Sequence, residues 1–280
     1  MLSSLQIESF NQFGFLKINN AIPQLFVNKL RAIFDKLTNE TSSFEEVCFE
    51  EFGNKKYITG IDNICSKLPF SCLEALGLPV VLEIAESICG VNFIPIQDFA
   101  VVKYRGSRNV VEWHQDVMSK QSGKAIMMGI YLDDASENEG ALKVIPESHK
   151  SSKTICELQN EPHISIEMQS GDILIHDLML AHSSGLLNQN EIRRVLYFEF
   201  FSTEQITKER IYSDEFIYSR TRLIPLALKY YREQNPDSEL FTWKNDFASE
   251  YPLSADVKYE IDLIYSASHK VKPANYCFNF

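Results

Sequence analysis

The sequence is poor in the residues that mark fibrous and low-complexity chains, since its 280 residues include only 11 Gly and 10 Pro. Those numbers are too small for a collagen-like or low-complexity chain. No apolar run approaches the roughly 18–20 residues that a membrane-spanning helix needs. With 45% hydrophobic and 23% charged residues, the composition is that of a globular protein that can bury its own core.

The chain also lacks an excess of positive charge. Its 27 Lys and Arg are outnumbered by 38 Asp and Glu, which gives a formal net charge of −11. Nucleic-acid binders usually carry a basic footprint, and anionic membrane surfaces attract basic segments. We therefore expect neither a nucleic acid nor a membrane as partner, whereas an acidic small molecule remains compatible with a locally basic site.

None of the six cysteines belongs to a C-x-x-C pair, which excludes zinc-ribbon and thioredoxin-like motifs. Their density of about two per hundred residues is far below that of a disulfide scaffold. The N-terminus has no basic segment followed by an apolar one, so no signal peptide is predicted. We therefore predict free thiols in a cytoplasmic protein.

Periodicity divides the chain into three parts. Helical spacing of apolar residues from Pro23 and again up to Gly90 predicts that the first ninety residues are mostly helical. Short β-rich runs and polar loops follow, without the helical crossovers of a parallel sheet, which favours a sandwich or barrel. Helical texture returns after residue 205. The β-rich runs are Phe93–Ile96, Phe99–Tyr104, Ala125–Leu132, Leu142–Ile145, Ile164–Met168, Ile173–His176 and Val195–Phe200.

The common catalytic signatures for phosphates, dinucleotides and serine hydrolysis are missing, and so is H-E-x-x-H. What stands out is the tripeptide His114-Gln115-Asp116. In an extended chain its first and third residues project from the same face, so an imidazole and a carboxylate face one point. A second histidine would complete the 2-His-1-carboxylate triad that is typical of non-haem Fe(II) oxygenases.

Two histidines are candidates for that third ligand. His182 lies at the end of a strand-like run, 68 residues beyond His114, and His176 lies six residues earlier with the same parity. The remaining histidines are expected to be exposed or hydrogen-bonded in polar loops. They are His149, His163 and His269.

An oxygenase that uses 2-oxoglutarate also needs a cation for the far carboxylate of that cosubstrate, and the planar fork of Arg suits it. Arg193 and Arg194 begin a strand-like run, and Arg193 lies 11 residues after His182. Strand parity does not choose between them, because both faces of a helix-backed sheet can be buried. Arg194 shares a face with Leu196, Phe198 and Phe200, and Arg193 with Val195, Tyr197 and Glu199.

These segments together resemble the phytanoyl-CoA dioxygenase (PhyH) family of Fe(II)/2-oxoglutarate oxygenases. The resemblance covers about residues 90–200 well, extends to GFLKINNAIP (14–23), and is loose over the last eighty residues. It rests on IQDFAVVKYRG (96–106), WHQD (113–116), IYLDDASENEGALKVIPESHK (130–150), GDILIHDLMLAHSSG (171–185) and Arg193.

The resemblance implies a mainly β fold with flanking helices and a double-stranded β-helix (jelly-roll, cupin-like) core. It implies one domain over residues 1–280, with a helical part at about 1–90, the core at about 91–202 and a helical part at about 203–280. It implies the following site residues: His114, Asp116 and His182 as iron ligands; Arg193, Ser184 and Phe99 as cosubstrate contacts; Gln97 and Lys103 in the same pocket row; and His176 as a non-ligating neighbour. Gly129 stands where some members carry Trp, an exchange that would enlarge the substrate cavity.

The activity that the resemblance implies is that of an oxidoreductase. It is a dioxygenase that uses Fe(II), 2-oxoglutarate and O₂ to hydroxylate an unactivated C–H bond of a small-molecule metabolite, with release of succinate and CO₂. Asp116 favours hydroxylation, because related halogenating enzymes carry a small residue there, and desaturation or cyclisation stays open. The alternatives are a non-catalytic jelly-roll module that binds a metal or ligand, and a zinc-dependent hydrolase with the same triad. Segments 120–124 and 205–222 are candidate lids.

Overall fold

A computed structural model describes residues 1–39, 47–108, 110–118, 123–210, 212–244, 252–267 and 274–277. The helices are α1 (Ser4–Phe13), α2 (Gln24–Asn39), α3 (Ile64–Lys67), α4 (Pro69–Leu76), α5 (Pro79–Cys89), α6 (Ile155–Leu158), α7 (Thr203–Glu209), α8 (Asp214–Thr221), α9 (Leu223–Gln234) and α10 (Val257–Ser266). The strands are β1 (Phe15–Ile18), β2 (Val47–Phe52), β3 (Lys55–Asp62), β4 (Ile94–Tyr104), β5 (Val111–Gln115), β6 (Ala125–Tyr131), β7 (Leu142–Val144), β8 (Ile164–Ile166), β9 (Ile173–Asp177), β10 (His182–Ser184), β11 (Ile192–Phe201) and β12 (Asn275–Tyr276). Within the described ranges, no helix combines the length and the apolar character needed to cross a membrane.

Two antiparallel sheets form the centre of the molecule. The larger has the order β1-β9-β6-β11-β4-β3-β2 and the smaller the order β12-β5-β10-β7-β8. Apolar side chains fill the space between them: Tyr131, Leu174 and Val195 from the larger sheet, and Leu142, Val144 and Ile166 from the smaller. Two facing antiparallel sheets with this order form a jelly roll. The predicted mainly β fold with flanking helices and a jelly-roll core is confirmed.

The outer face of the larger sheet is covered by helices. Leu196, Phe198 and Phe200 alternate along β11 and belong to one buried cluster with side chains of α2, α4, α5 and α9. Full burial of such a side chain stabilises the fold by about 1.5–3 kcal/mol. Because side chains alternate along a strand, the intervening residues of β11 face the smaller sheet. Both faces of β11 are therefore buried, which explains its almost continuous apolar sequence.

The first ninety residues are mostly helical, as predicted, but they also contain three strands that the prediction missed. Strand β1 pairs with β9, and the β2–β3 hairpin extends the larger sheet beyond β4. The charged residues of β2 lie at a sheet edge, where alternation of apolar and polar residues is weak. The helical stripe that ends at Gly90 also forms two helices, α4 and α5. They are separated at Gly77, where a Cβ atom would lie 2.6 Å from the carbonyl oxygen of Ala227.

The prediction of free thiols was wrong for one pair of cysteines. Cys156 in α6 forms a disulfide with Cys277 next to β12, at a sequence separation of 121 residues. Only the tertiary fold brings the two thiols together, so their spacing in the sequence carried no signal. Cys48, Cys65, Cys72 and Cys89 are free, and Cys48 is exposed.

The candidate lid segments have a different structure from the loops that were expected. Residues 119–122 lie outside the described residues, but Gly123 donates its backbone N–H to Oε1 of Gln205 at 2.7 Å. Most of 205–222 belongs to helices α7 and α8, so it is not a loop, although residue 211 is outside the described part. The described ends of the two segments therefore contact each other.

Candidate metal centre

The register of two neighbouring strands brings the predicted metal ligands together. Strands β5 and β10 are antiparallel, and His114 is paired directly with His182. Asp116 follows the end of β5, where its backbone N–H donates to the carbonyl of Leu178 at 2.9 Å. One ligand atom from each of His114, Asp116 and His182 lies within 4.8 Å of the others. Three side chains from two stretches of the chain can thus hold one metal ion between the sheets.

Backbone carbonyls fix the orientation of both imidazole rings. Nδ1 of His114 lies 2.8 Å from the carbonyl oxygen of Glu112, and Nδ1 of His182 lies 2.8 Å from that of Leu180. A carbonyl can only accept, so Nδ1 carries a proton in each ring, and the lone pair of the neutral ring lies on Nε2. The Nε2 atoms are 3.5 and 3.7 Å from Oδ1 of Asp116. Metal-ligating histidines are held in the same way.

The electrostatics of the site favour the metal-binding protonation states of His182 and Asp116. Burial, together with the nearby His114, lowers the pKa of His182 to about 3, so this ring is neutral. Burial alone would raise the pKa of Asp116, but the neighbouring His182 and a hydrogen bond from His114 lower it overall. Burial would likewise lower the pKa of His114, but its hydrogen bond with Asp116 raises it overall, so this ring must release the proton on Nε2 when it binds a metal. Oδ2 of Asp116 has no hydrogen-bond partner in the described part of the chain, as expected of an oxygen placed to bind an ion.

His176 lies beside the triad but belongs to the other sheet. Its Nδ1 is 3.7 Å from Oδ2 of Asp116, and its ring centroid is 4.5 Å from that of His182. Its place on β9, opposite Met127 of β6, makes it part of the larger sheet. The chain changes sheets between His176 and His182, which begins β10 rather than ending a long strand. Equal parity therefore did not make the two residues equivalent.

Arg193 points between the sheets, where its side chain is almost completely buried. It donates from a terminal nitrogen to the carbonyl of Gly140, and the guanidinium lies over the ring of Tyr131. Its Nε has no hydrogen-bond partner among the described residues. Lys103 is its cross-strand neighbour on β4 and is equally buried. Burial and then the charge of Arg193 lower the pKa of Lys103 to about 7. Within the described ranges no carboxylate forms a salt bridge with either side chain, so the pair can bind an anion.

Arg194 points the other way and is fully paired with protein groups. It forms two hydrogen bonds with the carboxylate of Asp133, at 2.8 and 2.9 Å, and a third, at 2.5 Å, with Asp35 of α2. This guanidinium connects the larger sheet to the helix that covers it. The two arginines that strand parity could not distinguish therefore differ in their partners: Arg193 faces the interior between the sheets, and Arg194 forms ion pairs with Asp133 and Asp35.

The remaining predicted residues line the space next to the triad. Phe99 stacks on Tyr197, its cross-strand neighbour, with ring centroids 4.9 Å apart. Ser184 is buried at the end of β10, and its carbonyl accepts a hydrogen bond from Lys103 at 2.9 Å. Gln97 lies on the same strand as Phe99, opposite Glu199.

Gly129 does not leave the larger cavity that its small size suggested. A Cβ atom at this position would lie 2.8 Å from Cε1 of Tyr197 and 3.1 Å from Cγ1 of Val195. The Tyr197 ring thus occupies the space above Gly129. Its alternation with Arg193 along β11 was visible in the sequence, but nothing in that pattern indicated that Tyr197 would fill this place.

Sequence reasoning missed the contact between the C-terminal strand and the site. Tyr276 of β12 pairs with His114, and their rings are stacked with centroids 4.8 Å apart and an interplanar angle of 12°. The described histidines outside the site are hydrogen-bonded or exposed, as expected. His149 lies against Asn11, His163 packs edge-on against Trp113, and His269 is outside the described residues.

The jelly-roll fold, with two histidines and one carboxylate that converge between its sheets, is that of a jelly-roll metalloprotein. The chain belongs to the phytanoyl-CoA dioxygenase (PhyH) family, because a model of that family matches residues 10–195. A search of curated proteins found no significant match. The family match ends within β11, so it includes the triad and Arg193 but leaves out α7–α10 and β12.

Solved structures with low sequence identity share the fold. EvdMO1 matches with 23% identity and a TM-score of 0.64 over 71% of this chain, which spans only 50% of EvdMO1. AviO1 from Streptomyces viridochromogenes Tue57 matches with 21% identity and a TM-score of 0.61, over 71% of this chain and 95% of AviO1. EctD from S. alaskensis, solved with bound Fe, matches with 17% identity and a TM-score of 0.64, over 73% of this chain and 78% of EctD.

Proposed function

We propose that the protein is an Fe(II)- and 2-oxoglutarate-dependent dioxygenase that hydroxylates an unactivated C–H bond of a small-molecule metabolite. Succinate and CO₂ are the products of the cosubstrate, and O₂ is the oxidant. Residues 1–280 form its single domain. The observation that carries the proposal is the convergence of His114, Asp116 and His182 next to a buried cation pair that has no carboxylate partner in the described chain.

With three ligands, the triad resembles an open catalytic Fe(II) site rather than a closed structural metal site, which has four protein ligands. Two imidazoles and one carboxylate are the ligand set of the facial triad of non-haem iron oxygenases, which leaves other coordination positions of the ion open. Iron bound there would supply the chemistry of O₂ activation. The chain itself holds the ligands: the carbonyls of Glu112 and Leu180 keep the two Nε2 lone pairs directed at the ion. His176 lies beside Asp116 on the opposite sheet, with its Nδ1 3.7 Å from Oδ2.

The cation pair fits the far carboxylate of 2-oxoglutarate. Arg193 offers a planar fork with an unused Nε, and a carboxylate accepts two parallel hydrogen bonds from such a group. The charges of both Arg193 and Asp116 act on the buried hydroxyl of Tyr197, so this hydroxyl is near the cation pair and near the triad. We place the cosubstrate along the line from the cation pair to the triad, with Ser184 and Phe99 beside it. Lys103 orders the end of β10 through the carbonyls of Ser184 and Gly185.

A small-molecule substrate is supported by the cleft next to this line. A cleft of about 470 Å³ is bounded by Phe99 of β4, Val111 of β5 and the β2–β3 hairpin, and its size is within the range of small-molecule sites. A larger cavity of about 730 Å³ lies between α7, α8 and Leu253. No triad residue lines either space, but the smaller one includes Phe99, which lies beside Tyr197. EctD has also been solved with 2-oxoglutarate and 5-hydroxyectoine. That precedent supports a small hydroxylated product, and the intact Asp116 ligand is consistent with hydroxylation.

The experiment that tests the proposal is an anaerobic titration of the Fe(II)-loaded protein with 2-oxoglutarate. We expect a visible metal-to-ligand charge-transfer band in the wild type and none in His182→Ala. A protein that is active only with zinc would support the hydrolase alternative instead. Binding of metal without 2-oxoglutarate would support the non-catalytic module. Screening metabolites for stimulated succinate formation then identifies the substrate class.

A further inference from the structure

The last described strand of the chain lies directly against a predicted iron ligand. Asn275 and Tyr276 form β12, which pairs with Gln115 and His114 at the edge of the smaller sheet. The side chain of Asn275 donates to Oε1 of Gln115 at 3.0 Å. The ring of Tyr276 covers one face of the His114 imidazole, the same ring whose Nδ1 is fixed by Glu112. The His114 ring is thus held at Nδ1 by Glu112 and packed on one face by Tyr276.

Strand β12 is too short for its pairing with β5 to be stable on its own. It pairs over only two residues, and even an isolated two-stranded hairpin is marginally stable in water. The residues of β12 are half-buried, so little apolar burial adds to the pairing. A covalent link follows immediately, because Cys277 is bonded to Cys156.

Cys156 lies in a short helix that is held in place by its N-terminal cap and by packing. It belongs to α6, whose N-terminus is capped reciprocally by Thr154 and Glu157. The buried residues Ile155 and Leu158 of this helix pack in one cluster with Trp113 of β5 and with Cys277. The disulfide therefore connects β12 to a helix that is itself packed against the ligand-bearing strand.

From this arrangement we propose that the Cys156–Cys277 disulfide is a redox-sensitive latch that holds Tyr276 on His114 and makes Tyr276 a positioning residue for the iron site. Reduction by a dithiol breaks the S–S bond, transfers two electrons and two protons to give two thiols, and converts the dithiol to its own disulfide. Exchange with a small-molecule disulfide reverses the step. The reduced strand then separates from β5, and His114 loses its stacking partner. The role at the iron site rests on the function proposed above.

The first test uses metal-free full-length protein, so it does not depend on iron or turnover. Peptide mapping should recover the Cys156–Cys277 crosslink and lose it on treatment with a phosphine reductant. The rate at which diethyl pyrocarbonate modifies His114 should rise on reduction, in Cys156→Ser and in Tyr276→Ala. Tyr276→Phe, which keeps the ring, should match the oxidised wild type. Cys48→Ser removes an exposed free thiol and serves as the matched control.

The second test measures how fast the Fe(II)-loaded protein releases iron to a chromophoric ferrous chelator without oxygen. Outer contacts of metal ligands typically change affinity by about 10- to 100-fold, and we expect about tenfold faster release from the reduced protein and from Tyr276→Ala. The latch proposal would be wrong if His114 reactivity and iron release were unchanged in both the reduced protein and Tyr276→Ala. It would also be wrong if the Cys156–Cys277 crosslink were absent. Absence of succinate formation from wild type in either redox state would overturn the proposed function alone, because the His114 reactivity is measured separately.

Discussion

Arg193 and Arg194 are adjacent in the chain but point to opposite faces of β11 and have opposite kinds of partner. Arg194 is bound by Asp133 and Asp35, whereas Arg193 donates to the carbonyl of Gly140 and lies beside Lys103. A guanidinium that is already neutralised by two carboxylates has no charge left for a ligand. A buried guanidinium that lies beside a second cation needs an anionic partner to offset the buried charge.

The first prediction concerns this difference. Arg193→Ala should weaken 2-oxoglutarate binding by about 2–3 kcal/mol, the loss expected for hydrogen bonds to a charged group. That loss corresponds to roughly 30- to 150-fold in the apparent affinity. Arg194→Ala should instead lower the free energy of unfolding by about 1–3 kcal/mol, because Asp133 and Asp35 lose hydrogen bonds while Arg31 still pairs with Asp133. Succinate formation against 2-oxoglutarate concentration and urea denaturation measure the two effects, and an exchange of the two phenotypes would contradict the assignment.

The parts of the site that could be predicted are those encoded by short-range spacing. The i, i+2 relation of His114 and Asp116 depends only on strand geometry, so the sequence sufficed. The pairing of His114 with His182 is a property of register between strands 68 residues apart, and β10 has only three residues, too few for a periodic signal. The family resemblance, rather than periodicity, selected His182 over His176.

The parts that could not be predicted depend on contacts that the fold creates. The Cys156–Cys277 bond and the stacking of Tyr276 on His114 both arise where the C-terminal strand returns to β5. Neither leaves a local pattern, and this region lies beyond the matched family segment. The same holds for Gly129, because the space available at this position depends on where the ring of Tyr197 lies.

The second prediction separates ligands from their neighbours. His114→Ala, Asp116→Ala and His182→Ala should each abolish stoichiometric iron binding, since two remaining ligands cannot hold the ion in an open site. His176→Phe should retain iron with a loss of no more than about tenfold in affinity, because His176 only lies beside Asp116. Iron content after anaerobic loading and desalting gives the readout. Loss of iron in His176→Phe as complete as in His182→Ala would make His176 a ligand.

The third prediction tests the packing of Tyr197 over Gly129. Gly129→Ala should lower the free energy of unfolding by about 1–3 kcal/mol, the usual cost of overpacking, because the new methyl group would displace the ring. Gly185→Ala is the matched control, since nothing lies within 4 Å of a Cβ atom there. In a Tyr197→Leu background the cost of Gly129→Ala should shrink. An equal cost in both backgrounds, measured by urea denaturation, would show that Tyr197 is not the obstacle.

The fourth prediction concerns the pH dependence of stability that Lys103 creates. Its pKa is lowered from 10.5 to about 7 in the folded protein, first by burial and then by Arg193, and returns to the ordinary value on unfolding. Between about pH 7 and pH 10 the unfolded chain therefore binds more protons than the folded one. Stability from this residue must increase with pH over that range, by up to about 1.4 kcal/mol per pH unit. Below pH 7 both states are protonated and the contribution is flat.

Lys103→Met isolates this contribution, because it keeps the length of the side chain and removes the charge. Urea titrations at pH 6, 7, 8 and 9 give the difference in free energy of unfolding between wild type and variant. We expect this difference to be constant below pH 7 and then to change steadily in favour of the wild type. The neutral amine still donates to Ser184 and Gly185 at high pH, so the hydrogen bonds persist as the cost of the buried charge disappears. Saturating 2-oxoglutarate should shift the onset upward, since a bound carboxylate favours the charged amine. A difference that declines between pH 7 and 9 would mean that a permanent anion already pairs with Lys103, and the cation pair could not then be the anchor for the cosubstrate.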